Sequence, residues 1–354
     1  MTQRTLHEKY MQRCIDLAKL GLGNTAPNPM VGSVIVHNGR IIGEGYHTKH
    51  GEPHAEVNAI NSVKDKYLLR KSTIYVNLEP CAHHGKTPPC ANLISEIGIP
   101  EVVIGTVDTA AHVSGKGINI LKEAGCRVVT GVLEKESREL NRRFFTFHEK
   151  QRPYIILKWA QTKDGFIDIE RSTDTPIQPN WITNQYAKAL VHKWRSEEQA
   201  ILVGTNTALQ DNPSLTTRNW KGKNPTRIVL DQHLTLPSHH NLFNYHAKTI
   251  VIAGTSLSDK KEKFANNIGI KFVDYKKGFY LQLFKILKEL DIQSIIIEGG
   301  ERVLNSFIKN NLWDEARIFH GNMEFGKGVK APKMVLDNEI LDQLGNSSLT
   351  FIRR

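Results

Sequence analysis

One histidine, one glutamate and two cysteines stand in an order that can do chemistry. They are His54-Ala55-Glu56, then Pro80-Cys81, then Cys90, with eight residues between the two cysteines. Zinc prefers four nitrogen or sulfur ligands, and a catalytic site supplies three and leaves the fourth position to water. His54, Cys81 and Cys90 make three. Bound zinc lowers the pKa of that water toward ~7, and a proton carrier must stand beside it. Glu56, two residues from His54 at the expected start of a helix, suits that task. Zinc deaminases as a class combine H-x-E with P-C-x-x-C and use the glutamate as a shuttle, not as a ligand. Here the cysteines are eight residues apart instead of two. A closed structural zinc would need a fourth protein ligand, for which His83 or His84 stands in line. The catalytic reading is favoured because a closed site gives Glu56 nothing to do.

The elements around these residues must position them. Leu6, Tyr10, Met11, Cys14, Ile15, Leu17 and Ala18 recur at helical spacing, so residues 5–20 read as an opening helix. GSVIVHNGRIIGEGY reads as a hairpin turning at Asn38-Gly39. A helix is expected from His54, a strand over STIYVNLEP, a helix from Cys90, a strand over EVVIGTVD, a helix near GINILKEAG and a strand from Cys126. Cys81 then lies in a strand-to-helix turn. Cys90 follows Pro88-Pro89 at a helix start, where amide dipoles favour a thiolate. ELNRRFFTFHEKQRP reads as a short helix and a connector ending at Pro153. Strand signals resume with YIILKWAQTKDG and continue through AILVGTNTAL, PTRIVLD, KTIVIAG, IKFVDY, SIIIEGG and EARIFHGNM, with helices between several of them. Two α/β domains follow, over 1–150 and 151–354. Cys14 and Cys126 read as packing residues.

The second half carries weaker chemical signals. SIIIEGGERVLNSF is a buried strand, two glycines and a helix, which can bring a phosphate to free amides at the helix start. An ordinary strand-to-helix turn has the same grammar. Arg195 and Arg218 can grip a phosphate through two donors each, or form surface ion pairs. GLGNTA at 21–26 imitates a dinucleotide fingerprint, but it follows a helix and runs into Pro27-Asn28-Pro29, so it is set aside.

Several longer motifs carry a resemblance. TAPNPMVGSVIV (25–36), HGEPHAEVNAI (50–60), YVNLEPCAHHGKTPPC (75–90) and GKGINILKEAG (115–125) closely resemble the deaminase half of the bifunctional riboflavin-biosynthesis deaminase/reductase family. LKWAQTKDG, Trp181-Ile182-Thr183, VGTNTALQDNPSLTTR (203–218), PTRIVLD and IIIEGGERVLNSF resemble its reductase half. The resemblance implies a cytidine-deaminase-like α/β/α domain followed by a dihydrofolate-reductase-like one. It implies zinc-dependent deamination of a phosphoribosylaminated diaminopyrimidine, then NADPH reduction of its ribosyl to a ribityl chain. Asn28 would bond the pyrimidine edge, with His50, His83 and Lys86 as pocket or phosphate contacts. In the reductase, Arg195, Leu215, Arg218 and Glu298 would face substrate. Ala160, Trp181, Thr207 and Asp211 would face the cofactor, with Gly300, Glu301, Arg302, Val303, Leu304, Asn305 and Ser306 along its phosphates. The family also implies a homo-oligomer, dimer or larger. This chain departs from the pattern at Lys163, at Pro179 and in a longer 166–180 segment.

Bulk properties exclude several classes. The 354 residues are 40% hydrophobic and 23% charged, a globular balance. No apolar run approaches the roughly 20 residues a membrane span needs, and the charged amino terminus is not a secretory signal. Four cysteines do not make a disulfide scaffold. The expectation is a cytoplasmic enzyme. The net charge of +11 divides into +4 over 1–150 and +7 over the remainder. Such spread charge favours a solvated basic surface over a nucleic-acid stripe. The competing reading is a zinc deaminase of another nucleoside or an RNA base, with the second domain as a binding module.

Overall fold

In a computed structural model the chain divides into two compact units, 1–151 and 152–354. The described residues are 3–82, 88–109, 114–172, 175–257, 268–334 and 340–354.

The first unit contains α1 (Gln3–Lys19), β1 (Gly32–His37), β2 (Arg40–Tyr46), α2 (Ala55–Ser62), β3 (Thr73–Leu78), α3 (Cys90–Ile97), β4 (Glu101–Thr106), α4 (Lys116–Glu123), β5 (Arg127–Thr130), α5 (Glu134–Leu140) and α6 (Arg142–Lys150). The sheet order is β2-β1-β3-β4-β5, with β1 antiparallel to both neighbours and β3, β4 and β5 parallel. Asn38 and Gly39 both hold positive φ, 47° and 73°, as a two-residue hairpin turn of this twist requires. Successive strand residues point to opposite faces. Ile35, Ile74, Val76, Val102 and Ile104 pack with Ala59, Ile94 and Leu121 of α2, α3 and α4. Val34, Val36, Tyr75 and Val103 pack with Met11, Cys14 and Ile15 of α1, and Leu140 of α5 lies against them. The result is helix, sheet, helix in three layers.

The helix and connector expected before Pro153 form, as α6 and residues 151–153, and α6 is set off from α5 at Asn141. Its buried amide accepts from Met30 N at 2.8 Å and donates to Met30 O at 2.9 Å, and its ψ of 24° leaves the helical range. Cys126 is half-buried instead of buried, precedes β5, and its thiol donates to the Ile99 carbonyl at 3.3 Å.

The second unit contains β6 (Tyr154–Gln161), β7 (Phe166–Ile169), α7 (Gln185–Glu197), β8 (Ala200–Gly204), α8 (Thr205–Asp211), β9 (Thr226–Leu230), β10 (Thr249–Gly254), β11 (Ile268–Val273), α9 (Phe279–Glu289), β12 (Ser294–Ile297), α10 (Glu301–Lys309), β13 (Glu315–His320), β14 (Gly328–Lys330), β15 (Ile340–Leu344) and β16 (Ser347–Arg353). Its sheet runs β11-β10-β9-β8-β12-β6-β13-β16-β15. The strands from β11 to β13 are parallel, and the β15/β16 hairpin adds an antiparallel edge. One face buries Ile155, Leu157, Ile228 and Ile297 against α9 and α10; the other buries Ile156, Val203, Val229 and Ile296 against α7 and α8. The hairpin and the small β7/β14 ribbon are absent from the sequence reading, because short strands near the edge of a unit carry no long apolar run.

Candidate functional site

The zinc-type residues come from two short stretches. His54 is the N-cap of α2, and Glu56 lies in that helix's first turn. Cys81 lies beyond β3, and Cys90 opens α3 behind the N-cap Pro89. Their ligand atoms all lie within 4.8 Å of one another. His54 Nδ1 is 3.5 Å from Cys81 Sγ and 3.4 Å from Cys90 Sγ. A tetrahedral ion with bonds of about 2.3 Å to sulfur and 2.05 Å to nitrogen sets a nitrogen-to-sulfur edge of about 3.5 Å. The three side chains therefore fit zinc, with His54 offering Nδ1. The Cys90 amide donates to Cys81 Sγ at 3.3 Å, so the start of α3 supports a thiolate there. Hydrogen bonding with Cys90, then with His54, holds Cys81 down at about 4 against its burial, and the bond with Cys81 pushes Cys90 up.

Glu56 is 3% exposed. Burial, then the charge of Cys81, lifts its carboxyl to about 7, while His54 pulls the other way. A base whose pKa lies near the working pH both takes and returns protons efficiently.

Asn28 is half-buried, and its Nδ2 lies 3.1 Å from His47 Nε2. His47 Nδ1 lies 3.1 Å from the Pro53 carbonyl, which accepts only from an N–H. The bond pattern therefore makes His47 neutral with its proton on Nδ1 and Nε2 accepting from Asn28. Burial lowers the His47 pKa, which agrees. Sequence reasoning named His50 and missed His47. His50 is exposed, and among the described residues only its backbone amide is fixed, on Asn24 O at 3.2 Å. In GYHTKHGEPH nothing local tells these histidines apart. His83, His84 and Lys86 lie outside the described residues.

Glu79, also missed, is buried and accepts from the amides of Asp108, Gly115, Gly117 and Ile118 at 3.0–3.3 Å. It binds the entry of α4 to the turn that carries Cys81.

In the second unit the centre is Glu298, just past β12, a strand flanked by β8 and β6. Arg195 of α7 grips it with both arms, Nε to Oε1 at 3.0 Å and Nη2 to Oε2 at 2.7 Å, and Arg195 Nη1 holds the Thr216 carbonyl at 3.2 Å. Lys158 of β6 lies 3.8 Å from Oε2. Burial would raise Glu298, but the charges of Arg195 and Lys158 outweigh it and hold the carboxyl at about 2. Burial lowers Lys158, against the pull of Glu298. Lys158 went unnoticed in the sequence, although a lone lysine inside YIILKWAQ was a usable signal. Arg218 has an exposed side chain, and its amide donates to Nδ1 of the buried His192 at 3.0 Å. Leu215 is buried with φ 51°.

The expected cofactor residues gather less uniformly. Gly300, φ 68°, caps α10, and Thr207 Oγ1 would stand 3.1 Å from any Cβ there. Gly204 at the start of α8 approaches Val303 so closely that a Cβ would lie 2.8 Å from Cγ2. The starts of α8 and α10 thus pack against each other and bring Thr207, Gly300 and Val303 together. Leu304 departs from the expected 300–306 run. Its side chain is core, and its amide is already bonded to Gly300 O at 3.1 Å. Helix-start amides remain only at Glu301, Arg302 and Val303. Asn305 donates to Glu301 Oε1, and Ser306 accepts from the Tyr280 hydroxyl at 2.5 Å. Ala160 pairs with Phe319 across β6 and β13. Trp181 is 53% exposed, with Lys188 Nζ 3.5 Å from its ring centroid. Asp211, at the end of α8, is ion-paired to Arg171 at 2.8 Å.

Comparison with known proteins agrees with this division. A family model described as the RibD C-terminal domain matches residues 153–349, and one described as the cytidine and deoxycytidylate deaminase zinc-binding region matches residues 4–106. The riboflavin biosynthesis protein RibD of Aquifex aeolicus is 40% identical over 92% of this chain and 90% of its own length. That of Bacillus amyloliquefaciens is 39% identical over 93% and 88%. A solved structure from Thermotoga maritima, described as a diaminohydroxyphosphoribosylaminopyrimidine deaminase/5-amino-6-(5-phosphoribosylamino)uracil reductase, superposes with a TM-score of 0.86 at 36% identity and covers 99% of each chain. With family models over both halves and relatives matched along nearly their whole length, this chain belongs to the RibD family of bifunctional, zinc- and NADPH-dependent deaminase/reductases of riboflavin biosynthesis.

Proposed function

We propose that residues 1–150 deaminate diaminohydroxyphosphoribosylaminopyrimidine, and that residues 151–354 then reduce the ribosyl group of the product to a ribityl chain. The observation that carries the first step is the convergence of His54, Cys81 and Cys90 beside the buried Glu56. Zinc, when bound, supplies an activated water near neutral pH. Glu56 takes a proton from that water and returns it to the departing amine, which leaves as ammonia. Asn28, oriented by His47, reads the pyrimidine edge.

The second step is supported by the Glu298 cluster. NADPH, when bound, supplies the hydride. For C1 of the sugar to accept it, the ribose ring must open, and its ring oxygen needs a proton. Lys158, a half-buried cation beside Glu298, would give one. Arg195 and Arg218 supply positive charge for the substrate phosphate, and the amides of Glu301, Arg302 and Val303 receive a cofactor phosphate. The substrate is a small phosphorylated pyrimidine and not a nucleic acid, in keeping with the spread charge. Among the described residues no helix is long and apolar enough to cross a membrane. The working form we propose is a cytoplasmic homo-oligomer of two or more chains.

The test mixes the zinc-loaded protein with the diaminopyrimidine ribosyl phosphate and NADPH, following ammonia and nicotinamide absorbance together. Ammonia release should precede an equal loss of NADPH. NADPH loss before ammonia would reverse the order. Ammonia with no NADPH loss would sink the second step.

A further inference from the structure

Arg171 follows β7 and is nearly enclosed, with 7% of its side chain exposed. Its guanidinium is committed in every direction. Nε donates to Asp168 Oδ2 at 2.7 Å, and Nη2 to Asp168 Oδ1 at 3.2 Å. Nη1 donates to the carbonyls of Pro176 and Gln210 at 3.3 and 3.1 Å. Nη2 also reaches the Gln178 carbonyl at 3.1 Å and Asp211 Oδ1 at 2.8 Å. These acceptors lie on two separate pieces of chain, the 166–180 segment and the end of α8.

An exposed ion pair would contribute little. A buried guanidinium with this many acceptors is a joint, and its planar fork is something lysine cannot copy. On one side the joint ends at Asp211, whose only paired side chain among the described residues is Arg171. On the other it continues through Asp168 to Asn180 Nδ2 at 2.6 Å, and the next residue is Trp181. Ile182 is buried, against Gly321, so the chain that presents Trp181 is held from both ends.

We infer that Arg171 is a positioning residue for the nicotinamide cofactor, fixing Asp211 directly and Trp181 by way of Asp168 and Asn180. It touches neither cofactor nor substrate. A carboxylate accepts hydrogen bonds from the hydroxyls of a nucleotide only where it is held at the right place, and Arg171 holds it. The inference rests on the reading that Asp211 and Trp181 border the cofactor.

The experiment titrates full-length protein with NADPH by nicotinamide fluorescence and measures steady-state reduction, for Arg171→Gln, Arg171→Lys and Asp211→Asn. In Arg171→Gln the NADPH Kd and KM should rise roughly tenfold, the scale of one lost charge-assisted hydrogen bond, with kcat at saturating NADPH nearly kept. Arg171→Lys keeps the charge but not the fork, and should fall between the two. A purely structural role would lower the Tm and kcat and leave the NADPH KM alone. Unchanged NADPH affinity in folded Arg171→Gln, with a loss in Asp211→Asn, overturns the inference and leaves the cofactor reading standing. Unchanged affinity in both variants overturns both. Should Arg171→Gln fail to fold, Arg171→Lys decides: wild-type affinity there overturns the inference, and weakened affinity supports it.

Discussion

The two sites are built on opposite plans. The zinc-type site takes its residues from a helix cap and a strand-to-helix turn, and His54 Nδ1 meets both sulfurs at 3.4–3.5 Å. The reductase centre takes Lys158 from β6, His192 and Arg195 from α7, Arg218 from a loop and Glu298 from the end of β12. A metal site is a short set of atoms at fixed distances. The second centre is a balance of charges, Arg195 and Lys158 against the Glu298 carboxylate. Removing a member should therefore cost chemistry at the first and structure at the second.

The largest effect expected from that contrast is at Glu56. Glu56→Gln keeps the shape and removes the proton carrier. Ammonia release should fall about 10³-fold, within the range seen for a positioned acid–base group. Bound zinc, measured by elemental analysis, should stay stoichiometric, and reduction of chemically supplied deaminated substrate should persist. Loss of zinc from this variant would make Glu56 part of the metal's support instead.

Next in size is Glu298→Gln, which leaves the buried Arg195 charge and the half-buried Lys158 charge without their partner. Removing one side of a buried pair costs about 3 kcal/mol or more. Denaturant unfolding should show that loss in the reductase unit while Glu56→Gln shows almost none. A double variant with Arg195→Met should recover part of it, because the orphaned charge goes too. Equal stability of the wild type and Glu298→Gln would mean that the carboxylate serves substrate alone.

The same contrast explains what the sequence could tell. Zinc's demand for cysteine and histidine, two rare residue types, writes itself into local spacing, so His54, Glu56, Cys81 and Cys90 were readable without structure. The parallel strands were readable too, because burial on both faces makes continuous apolar runs such as SIIIEGG. His47 was not readable, because its role depends on Pro53 and Asn28 meeting around its ring. The break at Asn141 was hidden for a similar reason, since its amide is spent on Met30, far away in sequence. Resemblance supplied Arg195 and Glu298 as separate residues; only the fold makes them a pair. Arg171 lies in no motif, and half of its hydrogen bonds go to backbone carbonyls, which every residue has.

The smallest effect sharpens the comparison through pH. His192 accepts the Arg218 amide on Nδ1, and burial, then the charges of Arg195 and Arg218, lowers its pKa to about 4. In the unfolded chain it titrates near ~6.5. Its folded pKa is depressed, so the unfolded state takes up a proton first as the pH falls. The stability from keeping His192 neutral is full above ~6.5 and is lost progressively down to about 4, where the folded form protonates as well. Allowing for partial solvent screening, the loss is about 1–2 kcal/mol, or several degrees in Tm for a unit of this size. Asp211 acts in the opposite direction over an overlapping window. Burial raises it to about 6 against the pull of Arg171, so its contribution grows as the pH falls. The wild-type curve mixes the two, and the informative quantity is the difference between wild type and His192→Gln. That difference should change between pH 6.5 and 4 and flatten outside it, with the variant the less acid-sensitive. A difference independent of pH would mean that His192 titrates in the fold as it does in the unfolded chain, and would overturn the depressed pKa.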